Sequence, residues 1–260
     1  MGDQGEWFTE VKSQMQVLKS IFDGDIDRIR GLMQEGLNMN RGYRSLDGFD
    51  TPLHYASRVN NFNIVKLLVE GGADVNNDKD GENLPLCAAV FNQSEIIVRY
   101  LLEHGANANV MYRDYKGGKE STHVLFLALG KSTTIFQLLL KYGANPSCMD
   151  NMGGGILEDA VHRKYPRFVE LLLEYGSNVN MLNSLGRSPI FYCKRGEDDT
   201  AILLLQHGAM TNFKDYYGKS IRYYLTRTVL EYIETQRILL LFMIGFPDDL
   251  VRLLYTFITN

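Results

Sequence analysis

Residues 47–76 read "DGFDTPLHYASRVNNFNIVKLLVEGGADVN", and three residues later 80–109 read "DGENLPLCAAVFNQSEIIVRYLLEHGANAN". Pro52 to Pro85 and Gly72 to Gly105 are both steps of 33 residues. A fixed period of this size means that one supersecondary unit is stacked on copies of itself. Each copy reads as a helix, a tight turn, a second helix and a loop. Thr51 caps the first helix, and Pro52 sits in its first turn, where no backbone donor is lost. Ile64, Val65, Leu67 and Leu68 form the apolar stripe of the second helix, and the glycine after it ends the helix in the left-handed region. One such pair of helices cannot bury its stripe alone, so neighbours must stack on it.

The remaining copies follow from the glycines at 36, 72, 105, 143, 176 and 208, in steps of 36, 33, 38, 33 and 32. Six units are visible, and a seventh starts at "DYYGKSIRYYL" (Asp215 to Leu225) before departing from the pattern. Residues 51–56 carry Thr51, Pro52, Leu53, His54 and Ala56, the T-P-L-H-x-A signature, and the unit resembles the ankyrin repeat. The expected fold is all-α: a solenoid of about six to seven helix-turn-helix units with short loops and β-hairpins, plus a helical tail. The expected division is a capping unit over 1–40, repeats over 41–225 and the tail over 226–260.

The connection from one unit's last Asn, or the Ser147 that replaces it, to the next unit's Thr position is 8 residues long in four cases. It is 11 from Asn40 to Thr51 and 14 from Asn109 to His123. The longer two, "RGYRSLDGFD" and "VMYRDYKGGKES", place Tyr43, Arg44, Phe49, Tyr112, Arg113 and Tyr115 at expected loop tips. Tyr and Arg are the residue types favoured where partners bind most tightly. These six are the candidate target-binding residues; the competing reading is that insertions at loop tips are simply tolerated.

Composition excludes several classes of function. Lys and Arg total 27 against 31 Asp and Glu, with no basic block, so nucleic acid is not an expected partner. Cys87, Cys148 and Cys193 are far apart and match neither a disulfide framework nor a zinc site, which fits a reducing compartment. The run "ILLLFMIGF" is about half the ~18 residues that would span a bilayer, and the first residues lack a secretory apolar run. The expectation is a soluble intracellular protein of cytoplasm or nucleus, without a membrane partner.

Catalysis finds no support either. His54 belongs to the repeat signature, and His104 and His207 share one repeat position in "EHGA" and "QHGA". His162 lies in a helix turn, and His123 stands alone near the second long loop. "GGKES" and "YGKS" fail the phosphate-loop pattern because Arg113 and Phe213 stand where its first glycine belongs. "MGGGILEDA" lacks the strand and helix context of a dinucleotide site. No enzyme activity, metal or cofactor is expected.

After Leu225 the period fails. A helix is expected from about Thr228 into "ILLLFM", and a second from Pro247, with Asp248 and Asp249 at the positive end of its dipole. Leu250, Leu253, Leu254, Phe257 and Ile258 would share one face of that second helix. "FPDDLVRLLYTFI" resembles the opening helix of an F-box, with Phe246 and Asp249 in place of the usual Leu and Glu. An ankyrin array with such a tail is similar to the poxvirus type of ankyrin protein, whose C-terminal module is called PRANC; parasitoid wasps and arthropod symbionts carry similar modules. That resemblance implies an immune-signalling target held by the repeats. It also implies a Skp-type adaptor, and through it a cullin ubiquitin ligase, bound by Phe246, Pro247, Leu250, Leu253, Leu254 and Phe257. Two other readings stay open: an inhibitor-of-NF-κB-like sequestering module whose tail is only a cap, and an ordinary ankyrin scaffold. A SOCS-box ending lacks its Leu-Cys signature after Tyr224.

Overall fold

In a computed structural model of the chain, the described residues are 15–45, 48–77, 84–113, 121–193 and 197–243. The chain divides into two compact units, Met1–Asn145 and Pro146–Asn260.

Within the first unit, α1 (15–23) and α2 (Ile26–Gln34) form the first pair. The next pairs are α3 (Pro52–Arg58) with α4 (Phe62–Glu70), α5 (Pro85–Phe91) with α6 (Glu95–Glu103), and α7 (Val124–Ala128) with α8 (Thr133–Lys141). First helices stack on first helices (α3 on α5, α5 on α7) and second helices on second helices (α4 on α6, α6 on α8). Ile64, Ile97, Leu101, Ile135, Phe136 and Leu139 are fully buried between the layers, so the apolar stripe of every pair is closed by its neighbours.

Local chemistry accounts for the helix ends. The Thr51 hydroxyl accepts from the His54 N–H at 3.1 Å, and Asn61 and Ser132 cap α4 and α8 in the same way. The turn between paired helices needs one residue in the left-handed region, taken by Gly24, Asn60, Gln93 and Gly130. Glycine occupies that region freely and Asn tolerates it, whereas Gln93 holds it against its side chain's preference.

The second unit contains α9 (Ile156–His162), α10 (Pro166–Glu174), a 3-10 turn at Pro189–Tyr192, α11 (Asp198–Gln206), a second 3-10 turn at Ile221–Tyr223 and α12 (Arg227–Met243). Where the sixth and seventh units should begin with α-helices there are single 3-10 turns. The seventh unit's departure from the period is therefore a structural one: its second helix is replaced by the 17-residue α12, which packs on α11. The expected second tail helix from Pro247 lies outside the described residues.

The two insertions form antiparallel hairpins. β1 (Tyr43–Ser45) pairs with β2 (Gly48–Asp50), and β3 (Met111–Arg113) pairs with β4 (Ser121–His123). Among the described residues no helix is long and apolar enough to cross a membrane.

Candidate interaction surfaces

Asparagine side chains stitch each loop to the next unit. Asn76 accepts from the Asn107 N–H at 2.8 Å and donates to the Gly105 carbonyl at 2.9 Å. Asn109 does the same with Asn145 and Gly143, both at 2.8 Å, and Asn180 with Met210 and Gly208 at 2.8 and 2.9 Å. Each bridge satisfies a carbonyl left open at a helix C-terminus and fixes the loop that follows. Ser147 holds the equivalent place, accepting from the Asn178 N–H at 2.7 Å.

Three of the histidines have hydrogen-bond partners close to them along the chain. Buried His54 pairs through Nδ1 with Asp50, which also accepts from Arg58 at 2.9 Å. Nδ1 of His104 and of His207 meets the carbonyl four residues earlier, Tyr100 at 2.8 Å and Leu203 at 2.9 Å. Among the described residues no group of three or more His, Cys, Asp or Glu could hold a metal ion. Burial pushes the Cys148 thiol up to about 12, and burial with the nearby Glu197 and Asp198 charges does the same to Cys193.

The candidate residues of the first hairpin separate. Tyr43 is only 6% exposed, and its hydroxyl donates to the Asn38 carbonyl at 3.1 Å, so it packs at the hairpin base and not at a tip. Burial raises its phenol pKa, partly offset by Arg41. Arg44 is exposed and stands opposite Phe49 in the register. On the second hairpin, Tyr112 stacks on exposed Phe91 with ring centroids 6.5 Å apart, and Lys131 sits 5.0 Å over that Phe91 ring. Arg113 lies opposite Ser121 in the strand register. Tyr115, and all six tail residues Phe246, Pro247, Leu250, Leu253, Leu254 and Phe257, lie outside the described residues.

The second unit carries a surface that the insertions do not signal. Its three loops of regular length, around Asp150, Asn183 and Asp215, close in one way. The side-chain oxygen of the first residue accepts the N–H groups two and four residues on. These are Met152 and Gly154 at 2.9 and 2.7 Å, Leu185 and Arg187 at 2.9 and 3.1 Å, and Tyr217 and Lys219 at 3.0 and 2.9 Å. Gly153, Gly186 and Gly218 then take positive φ of 79°, 67° and 74° to turn the chain back. The residue just before each glycine is thereby held outward: Met152 is 77% exposed, Leu185 36% and Tyr217 65%. A backbone bond of 2.9 Å from the Tyr216 N–H to the Leu185 carbonyl joins the last two fingers.

The last finger is the most strongly braced. Asp215, fully buried at its carboxylate, accepts from Arg187 Nη2 at 2.9 Å and Nε at 3.1 Å and from the Tyr224 hydroxyl at 2.8 Å. Burial alone would raise its pKa, but the bonds from Tyr224, Arg187 and the Lys219 N–H, with the Arg187 charge, hold it down at about 2. Arg187 also lies 5.9 Å from the centre of the Tyr217 ring and 5.4 Å from that of Tyr224. A separate opening of about 520 Å³ lies between the end of α11 and α12, lined by Leu205, Ala209, Tyr232, Ile233 and Leu240 among others.

The common signal of the three fingers is Asp or Asn, any residue, an apolar residue, then Gly. It is present in "DNMG", "NSLG" and "DYYG". Reading insertions as the informative deviation passes over it, because these loops are regular in length.

Comparison with known proteins agrees with the architecture. Residues 17–114 match the family described as ankyrin repeats (3 copies). The ankyrin repeat protein FPV031 of fowlpox virus (strain NVSL) is 35% identical over 127 residues, 48% of this chain and 36% of that protein. The rice (Oryza sativa subsp. japonica) "Probable E3 ubiquitin-protein ligase XBOS32" is 31% identical over 119 residues, 45% of this chain and 23% of that protein. The chain thus matches only about a third or less of these relatives' lengths. Among solved structures, the ankyrin repeat domain of Bcl-3, described as a member of the IkappaB protein family, superposes with a TM-score of 0.69 at 25% identity. That match covers 84% of this chain and 96% of the Bcl-3 domain. Residues 17–114 carry ankyrin repeats, and the fold of the chain is that of the ankyrin-repeat solenoid.

Proposed function

We propose that this protein is a non-catalytic receptor: its repeats hold a target protein, and its C-terminal segment recruits a Skp-type adaptor and through it a cullin ubiquitin ligase. The observation that carries target binding is the row of braced fingers presenting Met152, Leu185 and Tyr217 to solvent. Ordered apolar and aromatic side chains on pinned backbone bind at little entropic cost. Arg44, Phe49, Tyr112, Arg113 and Tyr115, all from the two inserted loops of the sequence, extend the target-binding set. Adaptor binding rests on the sequence of residues 246–257, where Phe246, Pro247, Leu250, Leu253, Leu254 and Phe257 follow the F-box pattern. The similarity to a fowlpox ankyrin protein supports a viral setting, with a host immune-signalling factor as target and the host cytoplasm or nucleus as the place of action. In this reading 1–40 caps the array, 41–225 reads the target and 226–260 recruits the ligase.

The test is a pull-down of purified Skp adaptor, alone and with its cullin, by the full chain, by a chain ending at Met243, and by Leu250→Asp with Leu254→Asp. Adaptor capture by the full chain alone, with the repeats' helical melt unchanged in all three, is the expected result. Capture that survives the double substitution refutes the recruitment role. The similarity to Bcl-3 favours a second reading, a sequestering module whose tail is a cap. No capture by any form, and an earlier melt on truncation, is what that reading requires.

A further inference from the structure

We infer that the groove between the end of α11 and α12 is a seat for the chain's own residues 247–258, and that their apolar stripe is withheld from the adaptor while it lies there. This rests on the reading of residues 246–257 as the adaptor-binding segment and adds a competing site for it within the same chain. The groove, about 520 Å³, has Leu205 and Ala209 on one wall and Tyr232, Ile233, Gln236 and Leu240 on the other. Leu239 and Leu240 near its end are 49% and 58% exposed, although residues 238–243 read "ILLLFM" and are apolar all round the helix. A helix of that kind is one that other chain covers.

Length and level select the occupant. The α12 wall runs from Tyr232 to Leu240, about 12 Å along the helix axis, and the stripe from Leu250 to Ile258 has the same length in residues. Residues 244–246 alone separate the end of α12 from Pro247, a connection of the length that joins two antiparallel helices. Gly245 there is free to turn, and Pro247 is preset for a first helical turn. In such a hairpin, residues equally far from the turn lie level. About Gly245, Leu250 comes level with Leu240, Leu254 with Gln236, Phe257 with Ile233 and Ile258 with Tyr232. A stripe tethered this closely meets the groove at an effective concentration on the order of millimolar, ahead of a free partner.

The fit is incomplete, which makes the contact a latch and not a permanent cap. Gln236 and Arg237, the latter paired with Glu234 at 3.2 Å, come level with Leu254 and Leu253, so part of the stripe meets polar side chains. Helix α11 packs on α12 in its own right, so releasing the segment leaves the repeats folded. The adaptor needs Leu250, Leu253, Leu254 and Phe257, and the groove takes the same four. The adaptor therefore binds only the fraction of molecules whose stripe is out of the groove.

The test uses the full chain with added cysteine pairs and mild oxidation, since Cys87, Cys148 and Cys193 are buried. Gln236→Cys with Leu254→Cys is expected to close an intramolecular disulfide at least about ten-fold faster than two controls, because the bond needs Cβ atoms within about 4.5 Å. Gln236→Cys with Leu250→Cys is about 6 Å out of level, and Thr235→Cys with Leu254→Cys is about 100° around the helix. A rate no faster than the controls overturns the seat, and so does a crosslinked dimer, which gives the groove to a second copy. Affinity for purified Skp adaptor is then measured by calorimetry. Gln236 and Leu240 are exposed, so Gln236→Glu with Leu240→Glu should leave the melt unmoved while raising that affinity at least about five-fold over wild type. Gln236→Leu should lower it, which separates release of the stripe from a general effect of charge. Affinity that neither variant moves, with the disulfide formed, overturns the competition. Adaptor bound by none of these chains refutes both recruitment and competition and leaves the disulfide to decide the seat.

Discussion

Asn109→Ala tests the coupling between repeats at one defined joint. The wild-type side chain makes two bonds across the joint, to Asn145 and Gly143, both at 2.8 Å. A hydrogen bond contributes about 0.5–1.5 kcal/mol net, and Asn109 is exposed, so water takes part of each vacated place and the lower half of that range applies. The expected cost is about 1–2 kcal/mol, or roughly 2–8 °C in melting temperature for a chain of this size. Asn109→Ser should cost about half as much, since a hydroxyl can accept from the Asn145 N–H as Ser147 accepts from Asn178 at 2.7 Å, but cannot also reach the carbonyl. Urea unfolding gives the total, and amide exchange at Asn145 gives the local opening, which separates a weakened joint from general destabilisation. In a quasi-one-dimensional array the loss should appear as reduced nearest-neighbour coupling. A variant with Ala within about 0.3 kcal/mol of wild type, or Ser no better than Ala, refutes the bridging role.

Further outcomes follow from other sites. Asp215, held at about 2 against an ordinary 3.8, contributes stability that is complete above about pH 4 and lost as pH falls toward 2. Thermal melts across that window should therefore lose much of their pH dependence in Asp215→Asn, and an unchanged profile refutes the assignment. Gln93→Gly should stabilise by roughly 0.5–1 kcal/mol, because φ there is 57° and glycine relieves the strain; a destabilised variant in urea melts counts against it. Leu101→Ala, at a fully buried position, should cost about 2–5 kcal/mol by the same assay, and a cost under 1 kcal/mol would deny it a core role. Cys148 and Cys193, with thiols raised to about 12, should react with a disulfide reagent at pH 8 only after unfolding; rapid native labelling of either contradicts its burial.

The repeat was legible because its determinants are local. The Thr51 cap, Pro52 and the glycine after each second helix each act within one turn of the chain, the helices start and stop where those residues stand, and their recurrence sets the 33-residue step. The loop insertions could also be counted from spacing, and both are hairpins.

What spacing could not supply was the direction in which a side chain faces. Tyr43 looks like a loop-tip tyrosine in "RGYRS", yet it is buried against Asn38, because the hairpin base, and not its tip, meets the preceding unit's loop. Met152, Leu185 and Tyr217 look like ordinary loop residues. They become a row only because the Asx turn before each one pins the backbone and stacking brings equivalent positions side by side. The unit, its period and its core were readable from sequence, since helix capping and apolar periodicity are properties of neighbours along the chain. The presented surface was decided by tertiary structure, because exposure depends on which units pack together, and that is written in contacts some 30 residues apart.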